Sequence, residues 1–164
     1  MVEIIICGVP EVNDYIDDAD AVISIMNPGY RIYAPSSIEE KKEENRHSVL
    51  ELDFDDIWSE NYQLGHEIIT KDMIYEVLDF ADNFYDKYKG EGTLLIHCHE
   101  GVSRSTAIAL AIITHLTKDI QEAINIVNEV RSQALPNIEI IRLTDEILKL
   151  NGELVQKVFE EYYH

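Results

Sequence analysis

The sequence predicts an α/β fold: a mainly parallel central sheet flanked by helices, with a helical C-terminal half. Three observations predict it. Short apolar runs at Glu3–Cys7, Ala21–Met26 and Thr93–His97 read as buried strands. From Thr70 onward the apolar residues recur at three and four positions, the spacing of helices with one buried face. Turn formers such as Asn27-Pro28-Gly29, Gly90 and Gly92, and Asn151-Gly152 stand between these segments. Strands that alternate with helices and then give way to helices alone make one layered α/β unit. A length of 164 residues suits a single domain over 1–164.

The elements follow in order. Glu3–Cys7 is the first strand, and Pro10 is placed to open a short helix over Glu11–Ile16. Ala21–Met26 is the second strand. Residues 36–47 are dense in charge and read as an exposed loop or short helix. Ser48–Phe54 sets apolar Val49 or Leu50 against Glu51 and Asp53 and reads as a third strand. Ile74, Val77, Leu78, Ala81, Phe84, Tyr85 and Tyr88 make one stripe of a long helix that Gly90 and Gly92 stop. Thr93–His97 is apolar on both faces, as a central strand requires. A loop at 98–104 leads into an apolar helix, Ser105–Leu116, whose Ala107, Ala109 and Ala111 permit close packing. Asp119 and Glu122 start a helix to about Ser132. Asn137 caps another to Lys149 or Leu150, and Glu153–Tyr162 is a terminal amphipathic helix.

Composition excludes several classes. No apolar run reaches the roughly 18 residues of a membrane helix, and Met1–Cys7 lacks the basic region and cleavage site of a signal peptide. With only Cys7 and Cys98, a disulfide framework is not expected, and a reducing, cytoplasmic location is. Thirteen Lys and Arg against 32 Asp and Glu give a formal charge of −19. Such a surface repels nucleic acid and anionic membranes. Its plainest role is solubility.

The informative stretch is His97-Cys98-His99-Glu100-Gly101-Val102-Ser103-Arg104-Ser105. A buried strand, a glycine-containing loop and a helix in succession build an anion site from backbone N–H groups and the positive helix end. A thiol at the mouth of that site, Cys98, is favoured as its thiolate. Arg104, six positions on, returns beside Cys98 if the loop curls around a tetrahedral anion, and its planar fork can hold two phosphoryl oxygens. Gly101 tolerates positive φ. Ser105 can donate a hydrogen bond to the Cys98 sulfur, and His97 braces the loop from behind. The loop residues His99, Glu100, Gly101, Val102 and Ser103 form the remainder of the anion-binding surface. The competing reading of Cys98 is a small buried hydrophobe at a strand end.

His97–Ser105 resembles the His-Cys-x5-Arg-Ser/Thr motif of the protein tyrosine phosphatase superfamily. Glu100-Gly101, Ser103-Arg104-Ser105 and the later Pro136-Asn137 look most like its dual-specificity branch, where such a Pro-Asn pair starts a helix beside the phosphate loop. Small bacterial-type tyrosine phosphatases are similar in length and layout. The resemblance implies a protein tyrosine or dual-specificity phosphatase acting on phosphorylated proteins or peptides through a cysteinyl-phosphate, with no metal and no cofactor. It also implies a general acid, an Asp on a loop after an earlier strand. Asp53, Asp55 and Asp56 are the candidates; Asp56 fits best, Asp55 is second, and Asp53 belongs to the strand. Asp72 is a distant alternative whose plainer role is to favour a helix N-terminus.

Other residues carry two readings each. Cys7 either captures an oxidised Cys98 as a disulfide or is a buried structural thiol. Trp58, Tyr62 and His66 either line the site or pack. The pairs Tyr85/Tyr88 and Tyr162/Tyr163 read as helix packing or surface. Arg46, Arg131 and Arg142 have no claim beyond charge pairing. Alternative functions are a phosphoinositide or inositol-phosphate phosphatase, disfavoured by Glu100 and the lack of Lys in the loop, and an RNA 5′-phosphatase, disfavoured by charge. A rhodanese-type sulfur carrier or arsenate reductase needs no upstream acid, and a phosphate-binding pseudophosphatase sits poorly with intact Cys98, Arg104 and Ser105.

Overall fold

In the computed structural model, which describes residues 1–58 and 65–163, the strands are β1 (Glu3–Gly8), β2 (Ala21–Met26), β3 (Val49–Asp53) and β4 (Thr93–Cys98). They form one sheet in the order β1-β4-β2-β3, and every pairing is parallel. β4 is flanked on both sides, which explains why Leu94, Leu95 and Ile96 are all apolar and buried. The register sets Gly8 opposite Cys98 and Ser24 opposite His97.

The helices are α1 (Val12–Tyr15), α2 (Ser36–Glu44), α3 (Lys71–Lys87), α4 (Arg104–Thr117), α5 (Ile120–Val130), α6 (Ile138–Leu148) and α7 (Glu153–Tyr162). Two apolar clusters lie on the two faces of the sheet. The smaller joins Cys7, Val22 and Leu95 to Val12 of α1 and Ile38 of α2. The larger joins Ile6, Ile23, Ile25 and Ile96 to α3 through α7. Alternate strand residues supply the two clusters, as the pleat requires. The chain therefore moves outward from β1 to β3 and then returns to β4 with α3 on the opposite face. In open parallel sheets a ligand crevice forms at the C-terminal strand edge where such a reversal occurs. Cys98 ends β4 at that edge.

Asp119 and Asn137 cap their helices as the sequence predicts, and Thr70 caps α3. Thr70, Asp119 and Asn137 accept hydrogen bonds from the N–H groups of Met73, Glu122 and Ile140 at 3.2, 3.0 and 3.0 Å, each worth about 1 kcal/mol. The 36–47 region resolves as a helix over Ser36–Glu44 that buries only Ile38. The expected Glu11–Ile16 helix is shorter, with 3-10 turns at Val9–Glu11 and Ile16–Asp18 on either side of α1. α5 stops at Val130, ahead of the expected Ser132, because Arg131 is already extended and its side chain turns to the loop described below. Among the described residues no helix is long and apolar enough to cross a membrane.

Candidate active site

The loop after β4 is shaped by what holds its carbonyls. The His99 carbonyl accepts the Val9 N–H at 3.0 Å, the Val102 carbonyl the Leu135 N–H at 2.9 Å, and the Ser103 carbonyl the Asn137 N–H at 3.0 Å. Arg131 donates from Nη2 to the Glu100 carbonyl at 3.0 Å and from Nε to the Gly101 carbonyl at 2.9 Å. Thr106 Oγ1 adds a 2.6 Å bond to the Val102 carbonyl. Five consecutive carbonyls are thus drawn outward. A trans peptide unit points its N–H opposite to its C=O, so the N–H groups from Glu100 to Arg104 turn toward the centre. The Gly101 N–H does so visibly, lying 3.3 Å from Cys98 Sγ.

Gly101 must be glycine for two reasons. Its φ is +73°, and a Cβ there would meet Cys7 C at 2.5 Å and Gly8 N at 2.7 Å. Gly8 is equally confined, since a Cβ would meet the His99 oxygen at 2.8 Å. The loop therefore rests directly on the end of β1.

Cys98 is 2% exposed, and the Ser105 hydroxyl lies 3.1 Å from its sulfur. Arg104 donates through Nη1 to Asn27 Oδ1 and to the Phe54 carbonyl, both at 2.8 Å. Its Nε is buried with no partner among the described residues, so the guanidinium keeps a donor for an anion in the loop. His97 Nδ1 is 3.1 Å from the Cys98 carbonyl and Nε2 is 2.6 Å from Ser24 Oγ, which also receives Arg31. That order fixes the roles: Arg31 donates to Ser24, Ser24 to Nε2, and Nδ1–H to the carbonyl. Burial, then the Arg31 and Arg104 charges, push the imidazole down to about 4, so His97 is neutral at pH 7 and serves as a brace.

These groups open into a cleft of about 830 Å³ lined in part by Cys98, His99, Glu100, Val102, Ser103 and Arg104. Asp56 lies on its wall, and its Oδ1 accepts from Ser103 Oγ at 2.8 Å and Asn137 Nδ2 at 2.7 Å. Asp55 faces elsewhere: Oδ2 takes the Glu67 N–H at 2.8 Å and Oδ1 the Asn27 amide at 3.3 Å. Asp53 ends β3 and pairs with Arg31, and Asp72 sits in the first turn of α3. Asn137 does more than cap α6, because its amide also reaches the Ile57 carbonyl at 3.1 Å. Trp58 lines the cleft, His66 is exposed and is not among the described lining residues, and Tyr62 lies outside the described residues. Cys7 is fully buried, and burial, followed by the Glu11 charge, pushes its thiol up to about 12. Among the described residues no group of three or more His, Cys, Asp or Glu is disposed to hold a metal ion.

Several participants were not legible beforehand. Arg131, read as mere charge pairing, braces the loop and is itself gripped by both Glu11 oxygens at 2.8 and 2.9 Å. Asn27, read as a turn former, holds Arg104. Tyr30 and Tyr33 wall the cleft. One signal was present: Ser24 is the lone polar residue in the run Ala21–Met26.

A cysteine thiol in an amide-lined loop with an arginine beside it, at the C-terminal edge of a parallel sheet, is an arrangement suited to cysteine-dependent phosphoryl transfer. Residues 20–146 match the dual specificity phosphatase catalytic domain, and the chain belongs to that family. A probable dual specificity protein phosphatase of Dictyostelium discoideum is 29% identical over 116 residues, 66% of this chain. The match spans 29% of the length of that relative. Solved structures of similar fold include the PTP-2 phosphatase of Cydia pomonella, with a TM-score of 0.59 and 18% identity over 88% of this chain and 84% of that one. The human tyrosine phosphatase-like serine/threonine/tyrosine-interacting protein gives 0.58 and 20% over 87% and 83%. PTPMT1 gives 0.60 and 16% over 97% and 93%.

Proposed function

We propose that residues 1–164 act as one protein tyrosine or dual-specificity phosphatase domain that hydrolyses phosphate monoesters on proteins or peptides. The observation that carries this reading is the inward-facing amide loop around Cys98 together with the unpartnered Nε of Arg104. A dianionic phosphoryl group would satisfy both. In the first step the Cys98 thiolate attacks phosphorus, the bond from phosphorus to the ester oxygen breaks, and Asp56 delivers a proton to that oxygen. In the second, water attacks phosphorus, the sulfur–phosphorus bond breaks, and Asp56 takes the water's proton. The Ser105 hydroxyl donates to the departing sulfur, and Arg104 with the loop amides holds the equatorial oxygens throughout. Acid–base help of this kind contributes about 10²–10⁴ in rate.

The cleft walls bear on the substrate. Tyr30, Tyr33 and Trp58 offer aromatic surface to the group that carries the phosphate, and Arg104 is the one Lys or Arg among the described lining residues. That suits a single phosphate better than a polyphosphorylated headgroup. One structure of the fold neighbour PTPMT1 is a complex with PI(5)P, which keeps a phosphoinositide as the second reading. Two free thiols suit a reducing compartment such as the cytosol.

The test is hydrolysis of a panel of phosphotyrosine and phosphoserine/threonine peptides, phosphoinositides and 5′-triphosphate RNA, with Cys98→Ser as control. Turnover of the peptides that vanishes in Cys98→Ser supports the proposal. Turnover confined to lipid or RNA replaces it, and phosphate binding without turnover by the wild type would make the chain a pseudophosphatase.

A further inference from the structure

Asp56 is followed by Ile57 and Trp58, and both of these are held from outside. The Ile57 carbonyl receives Asn137 Nδ2. The Trp58 ring meets Tyr163 edge-on, with ring centroids 5.5 Å apart and planes at 88°. Tyr163 in turn packs on Phe159 at 5.4 Å, and its hydroxyl donates to the Pro136 carbonyl at 2.5 Å. Pro136 immediately precedes Asn137, the partner of the Asp56 carboxylate. A single side chain just beyond α7 therefore touches both segments that determine where Asp56 stands.

The base of this contact is firm. Leu154 and Val158 of α7 are fully buried, and buried Asp145 accepts the N–H groups of Gly152 and Val155 at 2.8 and 3.1 Å. Tyr163 is also close enough to Asp56 for the carboxylate, after burial, to hold its phenol in the protonated form. An edge-on pair of this type prefers one geometry over others. By contrast, Asp56 itself is exposed, and among the described residues its carboxylate bonds to side chains alone.

We infer that Tyr163 is a positioning residue for proton delivery: through Trp58 and Pro136 it fixes the distance between Asp56 and the phosphate loop. This rests on the reading of Asp56 as the general acid. The consequence is a selective defect. A misplaced acid slows transfer from substrates whose leaving group must be protonated and spares transfer from those whose leaving group departs as the anion, a difference read in kcat/KM because the second step is common to both.

The experiment compares phenyl phosphate, with a poor leaving group, and 4-nitrophenyl phosphate, with a good one, in the wild type, Tyr163→Leu, Tyr163→Phe and Asp56→Asn. Tyr163→Leu is expected to lower kcat/KM for phenyl phosphate about tenfold, the scale of losing one oriented aromatic pair and its hydrogen bond. Its kcat/KM for 4-nitrophenyl phosphate and its inhibition by inorganic phosphate should stay near wild type. Tyr163→Phe keeps the ring contact with Trp58, loses only the bond to Pro136, and should show a smaller loss of the same selectivity; it remains informative if Tyr163→Leu does not fold. If Asp56→Asn lowers kcat/KM for both substrates alike, the assignment of the acid fails. If Asp56→Asn is selective but the Tyr163 variants are not, whether unchanged or slowed equally on both, the positioning role is overturned while the acid stands.

Discussion

Replacing Arg131 by Met should reduce catalysis more than its distance from the reacting sulfur suggests. Its guanidinium donates to the Glu100 and Gly101 carbonyls and to both oxygens of Glu11. With only 11% of the side chain exposed, little water is available to replace it. A hydrogen bond from a charged donor is worth about 1.5–3 kcal/mol. The Glu11 pairing adds little, because that carboxylate is 36% exposed and screened. Removing the two carbonyl bonds, with partial replacement by water, should therefore lower stability by about 2–3 kcal/mol. Part of that loss appears as freedom of two peptide units whose N–H groups must meet the transition state. If about half is expressed there, kcat/KM falls roughly tenfold. Arg131→Lys should recover little, because an ammonium cannot reach both carbonyls in one plane. The assay is steady-state hydrolysis of an aryl phosphate beside urea denaturation, with Glu11→Gln to complete a double-mutant cycle. Lowered stability with kcat/KM unchanged would refute the link from brace to loop geometry.

Two other perturbations are equally specific. His97 is pushed down to about 4 from an ordinary 6.5, so between those values the unfolded chain binds more protons than the folded one. Stability from this group is complete above about pH 6.5 and lost as pH falls toward 4, about 3 kcal/mol in all; the wild type should lose that much more than His97→Gln between pH 7 and pH 4 in denaturant titrations, and parallel curves would contradict it. Gly101→Ala would put a Cβ 2.5 Å from Cys7 C at a φ of +73°, so it should cost about 1–3 kcal/mol from backbone strain alone and abolish tight phosphate inhibition; a stable variant with normal inhibition would show that the loop tolerates the shift.

Much of this architecture was readable because local pattern and tertiary demand coincide. Leu94-Leu95-Ile96 is apolar on both faces, so a central strand followed, and the Asp119 and Asn137 caps announced their helices. The geometry of Cys98, Arg104 and Ser105 follows from a strand, a loop and a helix contiguous in sequence. What escaped depends on residues far apart in the chain. Arg131 meets Glu11 across 120 positions and Asn27 meets Arg104 across 77, and neither spacing has a local signature. Asp55 and Asp56 are adjacent acids whose directions diverge only because the Glu67 backbone claims one and Ser103 with Asn137 the other. Tyr163 gave no hint beyond helix packing, since its partners Trp58 and Pro136 belong to separate loops.

The central claim is that Cys98 carries the phosphoryl group. Mixing the enzyme with a phosphotyrosine peptide, quenching in acid within the first turnovers and mapping the phosphorylated residue by mass spectrometry tests it most directly. The account predicts a phosphoryl adduct on Cys98, enriched in Asp56→Asn when 4-nitrophenyl phosphate supplies the phosphoryl group, and missing from Cys98→Ser, which should be inactive. Sustained turnover by Cys98→Ser, or phosphate release from the wild type with Cys98 never modified, would contradict it.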